Sequence, residues 1–476
     1  MFTGSTEVAR LLQRNLAGRL DAAGRPVPLI AETGGQNAMI VDSSALAEQV
    51  VADVVSSAFD SAGQRCSALR VLCLQEDVAD RVLEMLKGAM AELTMANPDR
   101  LSTDVGPVID EEARAGIVKH IEGMRAKGRR VHQADANAAL SPSCRHGTFV
   151  PPTLIELNHI GELQREVFGP VLHVVRYQRS RLDALLDQIN ATGYGLTMGV
   201  HTRIDETIEH IVSRAHVGNL YVNRNIVGAV VGVQPFGGEG LSGTGPKAGG
   251  PLYLHRLLST CPQDAFVAVA RAAAAADAPA AEPRAALRPE AQAAFDAYRQ
   301  WAASDTAPAP ALVEQCDRFA AASTSGMTVT LPGPTGERNT YTLLPRDTVL
   351  CLAPNEADLA TQLAAVLAVG AGALCPDAEP ARTLYARLPK AVQSRVRLVA
   401  DWSAADVAFD AVLHHGDSDQ LRAVCEQVAQ RPGPIVGVQG LGHGDTGIAL
   451  ERLLMERSLS VNTTAAGGNA SLMTIG

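Results

Sequence analysis

Apolar residues recur at helical spacing from Ala45 to Ala58 (Leu46, Val50, Val54, Val55, Ala58), and a short apolar run, Arg70 to Leu74, follows. That pairing predicts a helix, a polar turn and a buried strand. Before it, Phe2 to Thr6 reads as a strand end with a glycine turn, Thr6 to Leu16 as a helix, and Val27, Leu29 and Ile30 as an apolar run ending at Glu32. After it, Asp77 to Leu93 and Glu111 to Lys127 are helical, and Asn97-Pro98 breaks the first. Residues 133 to 148 are polar and loop-like, and Val150 to Leu157 is a strand whose two prolines suit an edge. Gly169 to Arg176 and Asn219 to Val222 are further strands.

Residues 262 to 310 change character: an Ala- and Pro-rich stretch of low complexity leads into a helix, Glu290 to Ala303. Beyond it, apolar strands (Asp347–Ala353, Ala371–Pro376, Val396–Ala400, Ala411–His414, Pro434–Val438) alternate with helices, notably Glu356–Val369 and Gln420–Gln430. Such alternation predicts a parallel α/β domain. Leu220-Tyr-Val-Asn223 and Leu459-Ser-Val-Asn462 echo one another, each before a Gly-rich stretch, which suggests that the C-terminal domain is a degenerate relative of the first fold.

Between the first helix and its strand lies Gly-Gln-Arg-Cys66-Ser67. A cysteine on a polar loop, with a carboxylate (Glu32) on another, is the minimum equipment for covalent catalysis with an activated water. Each residue alone has an ordinary reading: Cys66 as a small core hydrophobe, Glu32 as a solvated acid at a strand end. Gly4-Ser5-Thr6 at a helix start suits either a pyrophosphate or a plain N-cap.

A net charge of −10 without a basic cluster argues against a nucleic-acid surface. The 8 cysteines form no Cys-x-x-Cys and no His-Glu-x-x-His occurs, so no metal is expected and a reducing, cytoplasmic setting is. The longest apolar run, Leu363 to Cys375, is too short to span a bilayer.

Phe2-Thr-Gly-Ser-Thr-Glu-Val, Glu32-Thr-Gly-Gly, Gly-Gln-Arg-Cys66, Glu166-Val-Phe168-Gly-Pro, Gly218-Asn-Leu-Tyr-Val-Asn and Pro235-Phe236-Gly-Gly-Glu-Gly-Leu-Ser-Gly-Thr together resemble the aldehyde dehydrogenase superfamily, in its order, over residues 2 to about 260. Ile226-Val-Gly228-Ala229 through Phe236, Gly245-Pro-Lys-Ala-Gly-Gly-Pro and the tail Leu459 to Gly476 resemble its glutamate semialdehyde branch, in the form found in the C-terminal half of bifunctional proline-utilising proteins. The resemblance implies an aldehyde dehydrogenase-like α/β fold followed by a C-terminal α/β domain. The expected divisions are residues 1–50 (with 235–260 returning) as part of a dinucleotide-binding domain, 51–234 as the catalytic domain, 261–310 as linker and helix, 311–450 as a non-catalytic domain and 451–476 as a tail.

It further implies Cys66 as nucleophile and Glu32 as base. NAD would be held through Gly4, Ser5, Thr6, Glu166 and Phe168, and the substrate through Ser67, Gly228, Ala229 and Phe236. The implied substrate is glutamate semialdehyde, in equilibrium with pyrroline-5-carboxylate, and FAD enters only if a proline dehydrogenase domain precedes the chain. The implied assembly is a homo-oligomer through the tail. Family members carry a long segment before Phe-Thr-Gly-Ser-Thr, including an oxyanion-binding asparagine, so the chain reads as a fragment with impaired activity. A second small semialdehyde, or a non-catalytic assembly role, are the competing expectations.

Overall fold

The computed structural model describes all residues except 136–139, 141–143, 145, 259–286 and 465–476. The low-complexity linker before the helix and the last part of the tail, 465–476, therefore lie outside the described residues. The chain divides into two compact units, one formed by 1–32, 243–331 and 340–457, the other by 33–242, 332–339 and 458–476.

The second unit is built on a sheet whose interior is parallel. In spatial order it runs from Ser458–Val461 through Asn219–Val222, Thr197–His201, Ala38–Val41, Val71–Gln75 and Val171–Tyr177 to Thr153–Leu157, with antiparallel Val131–Gln133 outside. One row of its register reads Val461, Val222, Val200, Ile40, Cys73, Val175, Leu157. Every member of that row is buried. Such near-continuous apolar strands are what a sheet covered on both faces requires. The helix Ala47–Phe59 buries Val50, Val54 and Ala58 of the face that its spacing predicts, with Val51 beside them, while Val55 is half-buried and Leu46, just before the helix, is exposed.

Two expectations need correction here. Thr153–Leu157 is not the edge, because Val131–Gln133 pairs outside it. Pro151 and Pro152 precede the first paired residue, so their missing N–H groups remove no ladder bond. Part of the stretch read as loop therefore begins in a strand. The echo of Leu-x-Val-Asn has a direct meaning: the two copies pair with each other in parallel, Leu220 opposite Leu459 and Val222 opposite Val461.

The first unit holds a five-stranded parallel sheet in the order Val396–Val399, Gly372–Pro376, Thr348–Leu352, Ala411–His415, Gly437–Leu441. The alternation of strands and helices read from the sequence is present, with the last strand displaced toward the C-terminus. Helix Glu356–Val369 starts on an Asn355 cap, ends on Gly370 at φ 84, and is buried along nearly its whole length. The same unit contains helix Thr6–Ala17 and the parallel pairing of Phe2–Thr3 with Ala31–Glu32. Among the described residues no helix is long and apolar enough to cross a membrane, and no group of three or more His, Cys, Asp or Glu could hold a metal ion.

Candidate active site

After helix Ala47–Phe59 the backbone enters the left-handed region three times in succession, at Ser61 (φ 55), Ala62 (φ 52) and Gly63 (φ 65). Non-glycine residues there are strained, and such strain persists only where surrounding structure holds it. The holder is Arg70. Its guanidinium, 1% exposed, donates to the carbonyls of Gly63 (2.7 Å), Arg65 (3.1 Å) and Gly169 (3.2 Å), and to Glu166 Oε1 (2.9 Å). A Cβ on Gly63 would run into the Gly169 carbonyl, so only glycine allows this approach.

Cys66 sits on the loop so held. It is half-buried and in no disulfide, and it lies within electrostatic reach of Arg70 and Tyr221. The contrast with other cysteines is sharp. Burial pushes the Cys73 and Cys316 thiols up to about 12 and that of Cys425 to about 11. A cysteine on a loop beside a buried cation is the environment in which thiolates form. Ser67 is buried beside it, its carbonyl accepting from Thr197 Oγ1 at 3.3 Å.

Glu166 and Phe168 both lie against the Arg70 guanidinium. Glu166 is not a surface acid: Arg70 holds one oxygen, and Gly35 N–H donates to the other at 3.1 Å. Burial pushes its carboxyl upward, and the Arg70 charge partly offsets this. Nor is Phe168 a core residue, being 46% exposed with the Arg70 guanidinium 5.2 Å from its ring centroid. The glycine pair after Glu32 makes room for these groups. A Cβ on Gly34 would overlap the Glu166 carboxylate, and one on Gly35 would meet Asn37 Oδ1 at 2.5 Å.

The loop from Arg224 to Phe236 lies in the same unit. Gly228 (φ 76) is exposed and Ala229 half-buried, and neither backbone N–H has a partner among the described residues. The turn closes through Gln234, whose N–H donates to Val230 O at 2.8 Å and whose Oε1 accepts from Val230 N at 3.1 Å. Asn219 fixes the approach to Phe236, donating to Pro235 O (2.9 Å) and accepting from Gly237 N (3.2 Å). From the C-terminal segments, Glu337 pairs with Arg224 and accepts from Gln234 Nε2 (2.7 Å). Ser460 Oγ lies 3.1 Å from Arg224 Nη1.

Gly4, Ser5, Thr6 and Glu32 belong to the first unit. Ser5 caps helix Thr6–Ala17, accepting from Val8 N–H at 3.3 Å, while Gly4 N–H donates to Glu32 O at 3.1 Å. Glu32 ends the strand Ala31–Glu32, and its carboxylate lies where a Cβ on Gly243 would be, 2.7 Å from Oε1.

Four residues central to this arrangement were not singled out in the sequence: Asn37, Arg70, Arg224 and Glu337. Their work is to bind backbone carbonyls or each other across long sequence separations, which no local pattern announces. The one available signal was a polar residue, Asn37, at the head of an otherwise apolar strand.

The chain is 63% identical over 478 residues to the bifunctional protein PutA of Escherichia coli (strain K12), covering 100% of this chain and 36% of that protein. It is 38% identical over 257 residues to the 1-pyrroline-5-carboxylate dehydrogenase of Geobacillus kaustophilus, covering 53% and 48%. A solved proline utilization A structure from Corynebacterium freiburgense matches with a TM-score of 0.68 at 25% identity, covering 97% of this chain and 41% of that one. Another PutA crystal structure matches at 0.50 with 58% identity over 54% of this chain and 25% of its own. The chain thus spans about a third of the length of the bifunctional relatives it matches. A family model, that of the aldehyde dehydrogenase family, matches residues 1–261, and the chain belongs to that family.

Proposed function

We propose that these residues carry out the NAD-dependent oxidation of glutamate 5-semialdehyde to glutamate, with Cys66 as nucleophile. The observation that carries this is the contrast among cysteines: Cys66 is half-buried on a strained loop beside Arg70, whereas Cys73, Cys316, Cys351 and Cys375 are sealed in apolar core. Similarity to PutA and to 1-pyrroline-5-carboxylate dehydrogenases supports the substrate. So do the N–H groups of Gly228 and Ala229, unpaired among the described residues, which suit a small anionic group such as an α-carboxylate.

Cys66 Sγ attacks the aldehyde carbon, and the Cys66 N–H donates to the oxygen that gains negative charge. NAD⁺, when bound, supplies the acceptor for the hydride leaving that carbon. Cys66 is left as a thioester. Glu32 takes a proton from water, whose oxygen attacks the thioester carbon, and Sγ departs with release of the acid.

A carboxylate and a half-exposed aromatic ring side by side, Glu166 and Phe168, fit a ribose and its attached ring, and Gly4, Ser5 and Thr6 at a helix start fit a pyrophosphate. Residues 51–234 would supply catalysis, residues 1–50 and 235–260 part of the dinucleotide-binding half, 311–450 a non-catalytic cover, and the tail beyond 451 a homo-oligomer contact. The test is semialdehyde-dependent NADH formation by a protein of the relatives' length carrying this chain. Activity should favour glutamate semialdehyde over succinate semialdehyde and vanish in Cys66→Ala. Retention of activity in that variant overturns the reading.

A further inference from the structure

The reactive cysteine has a peptide plane on each side, and each is tied down by a different buried side chain. On the preceding side, Arg70 Nη2 donates to Arg65 O at 3.1 Å. In a trans peptide the N–H points opposite to the C=O, so this bond aims the Cys66 N–H away from Arg70. On the following side, Asn37 Nδ2 donates to Cys66 O at 2.7 Å and to Ala68 O at 2.8 Å. Asn37 Oδ1 accepts from Thr197 N–H at 3.1 Å. Both amide hydrogens and the amide oxygen are thus committed, and the opposite amide orientation would set an oxygen against two carbonyls. Asn37 is 2% exposed, and Gly35 leaves the space that its side chain occupies.

We propose that Asn37 is a positioning residue for the reaction: by holding the carbonyls of Cys66 and Ala68 it fixes the peptide after the nucleophile, and so keeps the Cys66 N–H aligned on the oxygen of the attacked carbonyl. Asn37 touches neither substrate nor cofactor in this role. The inference rests on Cys66 being the nucleophile, and its test separates the two claims.

Two reagents distinguish alignment of the N–H from mere reactivity of the sulfur. Acylation by p-nitrophenyl acetate passes through a tetrahedral oxyanion. Alkylation by iodoacetamide displaces iodide at a saturated carbon and forms none. Neither needs NAD. Rates at Cys66 are measured on the full chain by peptide mass spectrometry, with half-buried Cys144 as internal control, for the parent sequence and for Asn37→Asp, Asn37→Ser and Gly35→Ala. Gly35→Ala displaces the amide without deleting it.

Misaligning one oxyanion donor should slow acylation about 10²-fold, while alkylation changes no more than about threefold. Where Asn37→Asp fails to fold by circular dichroism, the other two variants decide. Equal slowing of both reactions, or no slowing of either, in a variant that melts with the parent overturns the inference. Failure of the parent chain to label at Cys66 faster than at Cys144 overturns instead the assignment of the nucleophile.

Discussion

Replacing Arg70 by Met removes the cation on which the nucleophile loop is hung. The side chain is 1% exposed and its partner Glu166 12%, so the pair is desolvated on both sides. Removing one member of a buried pair costs about 3–5 kcal/mol, because the other charge is left unpaired. Of the three carbonyls, Gly169 O keeps Val171 N–H and Arg65 O keeps Ala68 N–H, whereas Gly63 O loses its Arg70 donor. An unsatisfied carbonyl adds about 1–3 kcal/mol. These terms do not add fully, since Glu166, whose carboxyl burial already pushes up, can take a proton.

The net expectation is about 4 kcal/mol near pH 7.5, or roughly a 10³-fold loss in the protection of Val71–Gln75 amides against hydrogen exchange. Exchange is the right assay because both tryptophans, Trp301 and Trp402, lie in the other unit and would not report this one. Arg70→Met with Glu166→Met should recover at least half of the loss, since no charge is then stranded. Protection within about tenfold of the parent in the single variant, or no recovery in the double, would refute the reasoning.

Gly63→Ala should destabilise the same unit by at least about 2 kcal/mol, from its positive φ and its contact with Gly169 O; hydrogen exchange over residues 60–75 measures it. Asp53, pushed up to about 6 by burial, contributes stability that is complete below its ordinary value and lost as pH rises through 6. Asp53→Asn should therefore gain melting temperature on the parent at pH 7.5 and little at pH 4.5; equal gains at both would be inconsistent with a buried carboxyl. The neighbouring His201, pushed down to about 4, loses stability as pH falls from its ordinary value and is common to both proteins. In a longer form, a protein of the relatives' length carrying this chain, Glu166→Gln should raise the KM for NAD more than it changes the KM for aldehyde, and steady-state kinetics at pH 8 would show an unchanged cofactor KM if the assignment were mistaken.

Much of the fold was legible because burial writes a period into the chain. Asn219–Val222 and Glu356–Val369 occupy the predicted bounds, each an apolar run with a polar or glycine stop. The strands Thr328–Leu331 and Glu337–Pro345 were missed: they alternate polar with apolar around Pro332-Gly-Pro-Thr-Gly336, which reads as a turn within a loop. At the site, the glycines beside Glu32 and the cysteine loop were visible as a motif. What they make room for was not. Glu166 comes to Gly35 across 131 positions, and Arg224 to Glu337 across 113, distances at which composition carries no register.

The most direct test of the central claim is mass spectrometry of the acid-quenched Glu32→Gln variant, in the longer form, after mixing with glutamate semialdehyde and NAD. With deacylation slowed, the peptide containing Cys66 should carry a glutamyl thioester formed in step with one equivalent of NADH. NADH formation with the adduct on another residue, or with Cys66 free throughout, would contradict the account.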